Sequence, residues 1–430
     1  MVFTIGLLGL GTVGTGTAEI ILDFEGRNPL LREIKIKQVG VSNLDKPRSV
    51  KLEPGVLTTD LESIVNDPEI EIVVELLGGL EPARSLILTA IQNGKHVVTA
   101  NKAVIARYGD EIFTAANQAG VYVLLEAAVA GGIPVIKPLK QSLGVNRITS
   151  VIGIINGTTN YILTKMSTEG LDFADVLSEA QELGYAEADP TADVDGGDAA
   201  DKISILAAIA FGERVKREEI SCEGIRQISA TDINYAENLG FVIKLLAITK
   251  GGMGQPLQIR VHPTLVSQDH PLANVNDVNN AVLVEGEPLG QVMLFGPGAG
   301  KGATASAVVS DIVNVAALLK SNNTQGKNLD PHLSCPHQSY AQLLPLTEIT
   351  TRFYTRFLCN DVPGVIGYLG TCFGKHDVSL ESIVQIGFQE DLAEIVVVTH
   401  DVKEGDFRQA LAEIESLDAI ASIPSMIRVL

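Results

Sequence analysis

The sequence predicts an α/β protein of several domains, which begins with a doubly wound parallel sheet and ends with a small α+β module. Two patterns favour the sheet: a glycine turn directly follows the first apolar strand, and further strand-like runs alternate with helical patterns. A new series of strand-like and helical segments begins near Glu348, in the order βαββαβ. A length of 430 residues suits this arrangement, because compact domains usually contain roughly 100 to 200 residues.

The composition is that of an ordinary globular chain, and it narrows the expected partners. Apolar residues make up 46% and charged residues 20%, and the formal net charge is −20. A surface this acidic repels phosphate backbones and anionic lipid, so neither nucleic acid nor a membrane is an expected partner. The four cysteines include no CxxC pair, and no apolar run reaches the roughly 18 residues of a bilayer span. We therefore expect a cytoplasmic protein.

The first strand, residues 4–8, leads into the sequence GLGTVG and then into a helical pattern. Gly9 permits the tight turn, Gly11 lets the backbone approach a pyrophosphate, and Gly14 allows close packing of the helix, whose amides face the anion. A glycine-rich turn without a ligand is the alternative. The predicted dinucleotide site is formed by Gly9, Leu10, Gly11, Thr12, Val13 and Gly14, and further strands are expected at 34–41, 70–77 and 96–100.

The end of the second strand bears on the choice between NAD and NADP. An Asp or Glu at this point would bind the ribose 2′-hydroxyl of NAD, but the chain has Ser42 and Asn43. The basic residues Lys46, Arg48 and Lys51 follow, within reach of a 2′-phosphate. The pattern favours NADP with Arg48 as a contact; NAD stays possible, and a solvated basic loop is the alternative.

Residues 180–202 form an acidic segment that leads into an apolar, helix-like run at 203–211. Asp198 and Lys202 are four residues apart and share one face if this stretch is helical. Beside the apolar run, Lys202 is a candidate for a partly buried lysine with a tunable proton. A solvated acidic loop is one alternative, and a metal site is another, although the spacing does not match an EF-hand loop.

The segment from Ala180 to Lys202 resembles the signature of the homoserine dehydrogenase family, and every signature position is filled. Other segments are similar to the family as well: GLGTVG, TANKAVIA around Lys102, EAAVAGGIP from Glu126, INGTTNYIL from Ile155 and GPGAGKGATASAVVSDI from Gly296. The resemblance implies NAD(P)-dependent interconversion of L-aspartate 4-semialdehyde and L-homoserine, a step toward threonine, methionine and isoleucine.

The resemblance also implies roles for individual residues. Lys202 would donate the proton to the aldehyde oxygen as hydride arrives, and Asp198 would hold this lysine and contact the substrate. Glu187 would take the substrate ammonium, and Asp193 would line the same pocket. The remaining implied contacts are Gly157 for the substrate, and Thr99, Lys102 and Gly302 for the cofactor, with Lys102 also near the reacting hydroxyl.

The segment EAAVAGGIP resembles the place where the family binds a monovalent cation, usually sodium. The implied ligands are the carbonyl oxygens of Glu126, Val129, Gly131 and Ile133. Hard cations do prefer oxygen ligands. From the residues alone, however, an ordinary crossing from strand to helix is the better interpretation.

The predicted domains are a dinucleotide-binding domain at 1–130, an α+β catalytic and dimerisation domain at 131–320, a linker at 321–347 and a regulatory domain at 348–430. A helix at 303–319 is expected to pack back on the first domain. Within the linker, HLSCPHQ offers three candidate zinc ligands but no local fourth, so we interpret it as part of the linker.

The C-terminal βαββαβ pattern has its first helix at 365–375 and resembles the ACT domain, a module that binds small molecules. Its DVPGV turn contains Asp361, Gly364 and Val365, where an amino-acid carboxylate could meet helix amides. Threonine is the expected effector, the chain is expected to form a homo-oligomer, and the segment should be removable because the catalytic part is complete by Leu319. A dimerisation domain without an effector is the alternative.

Two rival functions remain. Another ACT-containing dehydrogenase, of the phosphoglycerate dehydrogenase type, would need a catalytic histidine with a carboxylate partner, and His262 and His270 lie outside any such group. A catalytically inactive amino-acid sensor is the second rival. The presence of Lys102, Glu187, Asp198 and Lys202 argues against it.

Overall fold

The computed structural model describes residues 2–252, 254–321 and 329–430, and the chain divides into two compact units. The first unit comprises Met1–Ile155, Ala200–Glu219 and Asn279–Ala341. The second comprises Asn156–Ala199, Ile220–Val278 and Gln342–Leu430. Each unit is therefore built from three stretches of chain, whereas the predicted domains at 1–130, 131–320 and 348–430 are consecutive and stay predictions.

Strands and helices alternate through the first third of the chain, and most later strands are longer. The strands are β1 (Phe3–Leu8), β2 (Ile34–Gly40), β3 (Leu57–Thr58), β4 (Ile72–Glu75), β5 (His96–Thr99), β6 (Val123–Leu124), β7 (Arg147–Ile154), β8 (Ser221–Cys222), β9 (Phe241–Lys250), β10 (Gln258–Ser267), β11 (Asn279–Glu287), β12 (Gly290–Pro297), β13 (Thr350–Asn360), β14 (Leu380–Gln389), β15 (Leu392–Thr399), β16 (Val402–Lys403) and β17 (Ile420–Val429). The helices are α1 (Thr12–Leu22), α2 (Leu61–Asn66), α3 (Ala83–Gln92), α4 (Lys102–Ala119), α5 (Gly157–Glu169), α6 (Phe173–Glu182), α7 (Thr191–Val194), α8 (Gly197–Phe211), α9 (Ala230–Asn238), α10 (Lys301–Lys320), α11 (Val365–Lys375) and α12 (Glu404–Glu415).

The first unit contains a parallel sheet of six strands in the order β3-β2-β1-β4-β5-β6. Strand β1 is buried along nearly its whole length, as is typical of a parallel sheet that helices cover on both faces. The strand order reverses beside β1, and open α/β sheets bind ligands at such a reversal. The predicted doubly wound fold is confirmed.

Helix α10 joins this sheet from far along the chain. Its residues Val308, Ile312 and Val315 are buried in the same apolar core as Phe3 and Ile5 of β1. Among the helices of the described residues, α10 alone is long and apolar enough to cross a membrane by length and composition, yet it packs here as a core helix. Strands β7, β11 and β12 complete the unit as an antiparallel set with β11 in the middle.

The second unit ends in the predicted βαββαβ module. Strands β17, β13, β15 and β14 pair in this order and are antiparallel. Helices α11 and α12 cover one face, where Phe353, Phe373 and Phe407 stack in one core. The prediction of an ACT-type fold is confirmed. The predicted element bounds are also close, since the helix expected at 365–375 occupies these residues in the structure.

Buried ion pairs tie the C-terminal module to the rest of the second unit. Arg428 on β17 binds Glu223 beyond β8 as well as Glu404 on α12, and Arg356 on β13 lies 3.0 Å from Asp232 on α9. Strand β17 also pairs with β10. Removal of 348–430 would take Arg356 away from Asp232 and would leave the end of β10 without its partner strand. The packing thus argues against the expectation that this segment can be deleted cleanly.

Candidate functional site

The glycine turn between β1 and α1 has the geometry of a dinucleotide cradle. Gly9 has φ +108°, which L residues rarely adopt, and a Cβ on Gly14 would lie 2.2 Å from the carbonyl oxygen of Gly9. A Cβ on Gly11 would meet nothing within 4 Å. Helix α1 begins at Thr12, followed by Val13, and no side chain caps its first amides. Open space in front of uncapped amides fits a bound pyrophosphate.

Polar side chains meet at the carboxyl ends of β4 and β5, beside this turn in the sheet order. Thr99 donates its hydroxyl to Glu75 at 2.6 Å, and Glu75 is fully buried. Asn101 caps α4 through the amide of Val104, so that Lys102 is the first residue of this helix. Glu75 and Asn101 were not predicted. Their positions could have indicated them, since each residue stands at or just after the end of a buried strand, where α/β sheets bind their ligands.

Gly302 is the second residue of α10, which begins after Gly300 at φ +113°. A Cβ on Gly302 would meet nothing within 4 Å, so this helix start is also open. Lys301 beside it lies 2.6 Å from Glu19 of α1. A Cβ on Gly16 of α1 would lie 2.8 Å from the carbonyl oxygen of Lys301, so α1 and α10 pack closely at this glycine.

The basic loop after β2 is held together by Arg48. Its Nη1 donates to the carbonyl oxygens of Leu44 at 2.9 Å and Lys46 at 2.8 Å, and its Nη2 donates to that of Asn43. The guanidinium thus closes the loop after β2, where an NAD-binding domain would have an Asp or Glu. Arg48 therefore shapes the loop, and its role as a phosphate contact stays a prediction.

Lys202 projects from α8, a helix that includes residues 197–202 as well as the apolar run at 203–211. Its Nζ donates to the carbonyl oxygen of Ile155 at 2.7 Å, and the side chain is partly buried. Asp198 lies in the first turn of the same helix, four residues before Lys202, so the two share a face. Residues 198–202 are therefore helical, as the pairing of Asp198 with Lys202 requires.

Asn156 gathers two of the predicted carboxylates in the second unit. Its Nδ2 donates to Oδ1 of Asp193 at 2.7 Å and to Oδ2 of Asp198 at 2.9 Å. Its Oδ1 accepts the amide of Thr159 and so caps α5, whose first residue is Gly157. Sequence reasoning missed Asn156, although its place before a helix start is a capping signal.

The other acids of this segment have different environments. Glu187 is exposed, and its carbonyl oxygen accepts from Gln181. Asp195 pairs with Arg226, and Asp201 pairs with both Arg107 and Arg217. The acidic segment therefore separates into an exposed loop, a carboxylate pair at Asn156 and structural ion pairs.

The segment predicted to bind a cation is buried and sharply curled. Ala130 and Gly131 both have positive φ, +56° and +53°. In the described residues, no backbone hydrogen bond ends on the carbonyl oxygens of Val129, Gly131 or Ile133. The carboxylate of Glu126 instead accepts backbone amides of residues 135–137. Curled backbone with unused carbonyl oxygens fits a hard cation.

The DVPGV turn forms one wall of a cavity of about 150 Å³ in the C-terminal module, lined by Asp361, Gly364 and Val365. Gly364 has φ +97° and precedes α11, which has no side-chain cap. The start of α11 therefore has uncapped amides beside this cavity, and the effector site at Asp361, Gly364 and Val365 stays a prediction.

The described residues contain no group of three or more His, Cys, Asp or Glu side chains that could hold a metal ion. In HLSCPHQ, the Sγ of Cys335 lies 3.4 Å from Nδ1 of His337, and burial lowers the pKa of His337 to about 4. All four cysteines are free.

Family models cover most of the chain. The model described as homoserine dehydrogenase matches residues 134–313, its NAD binding domain matches 9–126, and the ACT domain matches 353–419. A homoserine dehydrogenase from Synechocystis sp. is 67% identical, and the match covers 100% of both chains. The chain belongs to the homoserine dehydrogenase family. It is therefore an oxidoreductase that uses a nicotinamide cofactor.

Solved structures of the family agree with this assignment. A homoserine dehydrogenase from Thiobacillus denitrificans superposes with a TM-score of 0.93 at 44% identity, covering 100% of this chain and 98% of that one. A hyperthermophilic archaeal homoserine dehydrogenase in complex with NADPH has a TM-score of 0.61 at 30% identity. That match covers 74% of this chain and 98% of the archaeal chain.

Proposed function

We propose that this chain interconverts L-aspartate 4-semialdehyde and L-homoserine, with Lys202 as the proton donor. The observation that carries the proposal is the placement of Asp198 and Lys202 on one face of α8 in a member of this family. Bound NADPH supplies the hydride. Lys202 delivers a proton to the carbonyl oxygen of the substrate as this oxygen gains negative charge.

Neighbouring residues hold this lysine and the substrate. The carbonyl oxygen of Ile155 orients the Lys202 ammonium, and Asp198 supports its charge. Asn156 keeps Asp193 and Asp198 in place. Glu187 and Asp193 bind the substrate ammonium beside Gly157, and Lys102 contacts the cofactor and the reacting hydroxyl.

The Lys202→Met variant tests this assignment. We expect kcat to fall by roughly 10²- to 10⁴-fold, because a single positioned acid is removed, while the Kd for NADPH stays nearly the same. Lys165→Met is the matched control, since Lys165 forms a partly exposed ion pair on α5. Near-normal turnover of Lys202→Met with homoserine would contradict the role of Lys202.

We also propose that NADP is the preferred cofactor. The absence of an acid after β2 and the basic loop closed by Arg48 support this preference, as does NADPH bound to the archaeal relative. For Arg48→Ala we expect a several-fold higher KM for NADPH and little change for NADH. Because Arg48 also closes its loop, Arg48→Lys is included, and it should recover part of the NADPH affinity. Equal losses for both cofactors would identify a purely structural role.

The remaining proposals concern the cation, regulation and assembly. A sodium ion bound by the carbonyl oxygens of Glu126, Val129, Gly131 and Ile133 would stabilise the curled segment, so we expect a higher melting temperature of the protein in sodium chloride than in choline chloride.

Threonine is the proposed effector of the ACT module, in keeping with a role in threonine, methionine and isoleucine biosynthesis. Exposed Val384 on the edge strand β14 supports a homo-oligomer. Free cysteines favour a cytoplasmic location.

A further inference from the structure

A second cavity, of about 150 Å³, lies in the first unit. None of its lining residues belongs to the candidate catalytic or cofactor site. Helix α4 contributes Phe113 to its wall, and α8 contributes Ile205 and Ile209. Ile136 adds a further apolar surface. Part of the cavity wall, between α4 and α8, is therefore apolar.

Its charged residues are mostly cationic. Five basic side chains line it, Arg107, Lys140, Arg214, Lys216 and Arg217, against the two carboxylates Asp110 and Glu218. The chain as a whole has a net charge of −20, so an excess of positive charge at one cavity is unusual for this protein. Such an excess attracts an anion.

Two of these cations, Arg214 and Lys140, form no ion pair with a carboxylate in the part of the chain that the structure describes. Arg214 donates Nε to the carbonyl oxygen of His337 at 2.9 Å and Nη2 to the hydroxyl of Thr114 at 2.9 Å. Lys140 donates to the carbonyl oxygens of Leu333 at 3.0 Å and Ser334 at 2.7 Å. Arg107 and Arg217, by contrast, share Asp201, and Lys216 pairs with Glu219. Neutral acceptors therefore fix the positions of Arg214 and Lys140, while Asp311, Asp330 and Glu126 act on Lys140 only from a longer distance.

The size and lining limit what could bind. An engineered cavity of about 150 Å³ holds benzene, so an apolar body of about six carbons is suitable here. Inorganic phosphate has no apolar part to fill this space. An α-amino group would face the cationic wall, and Asp110, which could receive it, already accepts the hydroxyl of Tyr340 at 2.7 Å.

We propose that this cavity binds a small organic monocarboxylate, whose apolar body packs between α4 and α8 and whose carboxylate pairs with Arg214 and Lys140. Charge-assisted hydrogen bonds to a carboxylate are stronger than those to neutral groups, so the charge of the ligand decides its affinity. The site is separate from the proposed catalytic function and does not depend on it.

The experiment is calorimetric titration of the full-length protein with benzoate, with neutral benzamide and with inorganic phosphate. We expect benzoate to bind once per chain and benzamide at least about tenfold more weakly, and we expect no heat from phosphate. Benzoate should still bind when NADPH and homoserine are saturating. Displacement by either one would assign the benzoate to the catalytic crevice and overturn the proposal, as would equal binding of benzoate and benzamide.

Variants locate the site. Arg214→Gln keeps a donor for His337 but removes the charge, so it should weaken benzoate at least about tenfold while leaving benzamide unchanged; Arg214→Lys should recover part of the loss. Ala208→Leu fills the cavity and should abolish both. Arg147→Gln is the control, since this exposed arginine pairs with Glu287 away from the cavity lining. Should Arg214→Gln fail to fold, Lys140→Gln replaces it, since it removes the second charge and keeps a donor for the carbonyl oxygens of Leu333 and Ser334. Unchanged benzoate binding in Ala208→Leu would overturn the proposal.

Discussion

Two turns of this molecule place a glycine with positive φ shortly before a helix without a side-chain cap. Gly9 precedes α1 in the first unit at φ +108°, and Gly364 precedes α11 in the second unit at φ +97°. Both helices lack acidic residues in their first turn. Each turn thus presents free amides and the positive end of a helix dipole to an anion.

The two turns differ in how tightly they are packed. A Cβ on Gly14 would lie 2.2 Å from the carbonyl oxygen of Gly9, and a Cβ on Gly9 would lie 2.8 Å from that of Leu76. A Cβ on Gly364 would come no closer than 3.7 Å to Tyr368. The first turn therefore requires glycine for space as well as for φ, whereas the second requires it for φ alone. A motif of several glycines, each required for a different structural reason, indicates a class of ligand. A single glycine indicates only a turn.

The largest effect is expected at Gly14. In Gly14→Ala the new methyl group would overlap a backbone oxygen, which cannot rotate away, so α1 must shift from β1. We expect the free energy of unfolding to fall by about 1 to 3 kcal/mol, with at least tenfold weaker NADPH binding. Urea denaturation and NADPH fluorescence titration measure the two effects.

Gly367→Ala on α11 is the control for this prediction. It is also a glycine inside a helix, but a Cβ there would meet nothing within 4 Å. Alanine favours the helix, so we expect a gain of about 0.5 to 1 kcal/mol. If both variants changed stability in the same direction, packing would not distinguish the two turns.

The same distinction explains what the sequence could predict. The strand, turn and helix at Gly9 and the bounds of α11 follow from local patterns, and the structure agrees with both. Asn156 escaped prediction because its partners Asp193 and Asp198 are about forty residues away, and only folding brings them to its amide. The charge of Arg48 and its place after β2 favoured a phosphate contact, but its bonds to loop carbonyl oxygens could not be predicted, because they depend on the backbone path of the loop.

A smaller and more selective effect is expected at Gly11. Its φ of −77° is ordinary for an L residue and a Cβ would meet nothing within 4 Å, so Gly11→Ala should change stability by less than about 0.5 kcal/mol. The added methyl group would instead occupy the open space that we assign to the pyrophosphate. We expect roughly tenfold weaker NADPH binding, about 1.4 kcal/mol. Unchanged NADPH affinity in a stable Gly11→Ala variant would mean that the phosphates lie elsewhere.

The smallest change in ligand binding is expected at Gly364, where only the backbone angle opposes a side chain. Gly364→Ala should lower the free energy of unfolding by about 1 kcal/mol, the usual cost of the left-handed region for an L residue. The same strain displaces the first amides of α11, so several-fold more threonine should be needed for half-inhibition of turnover, provided that threonine inhibits the parent chain. Urea denaturation and threonine titration separate the two claims. A flat threonine curve in the parent removes the effector proposal but leaves the stability difference, whereas full stability in Gly364→Ala would show that the second turn does not depend on φ.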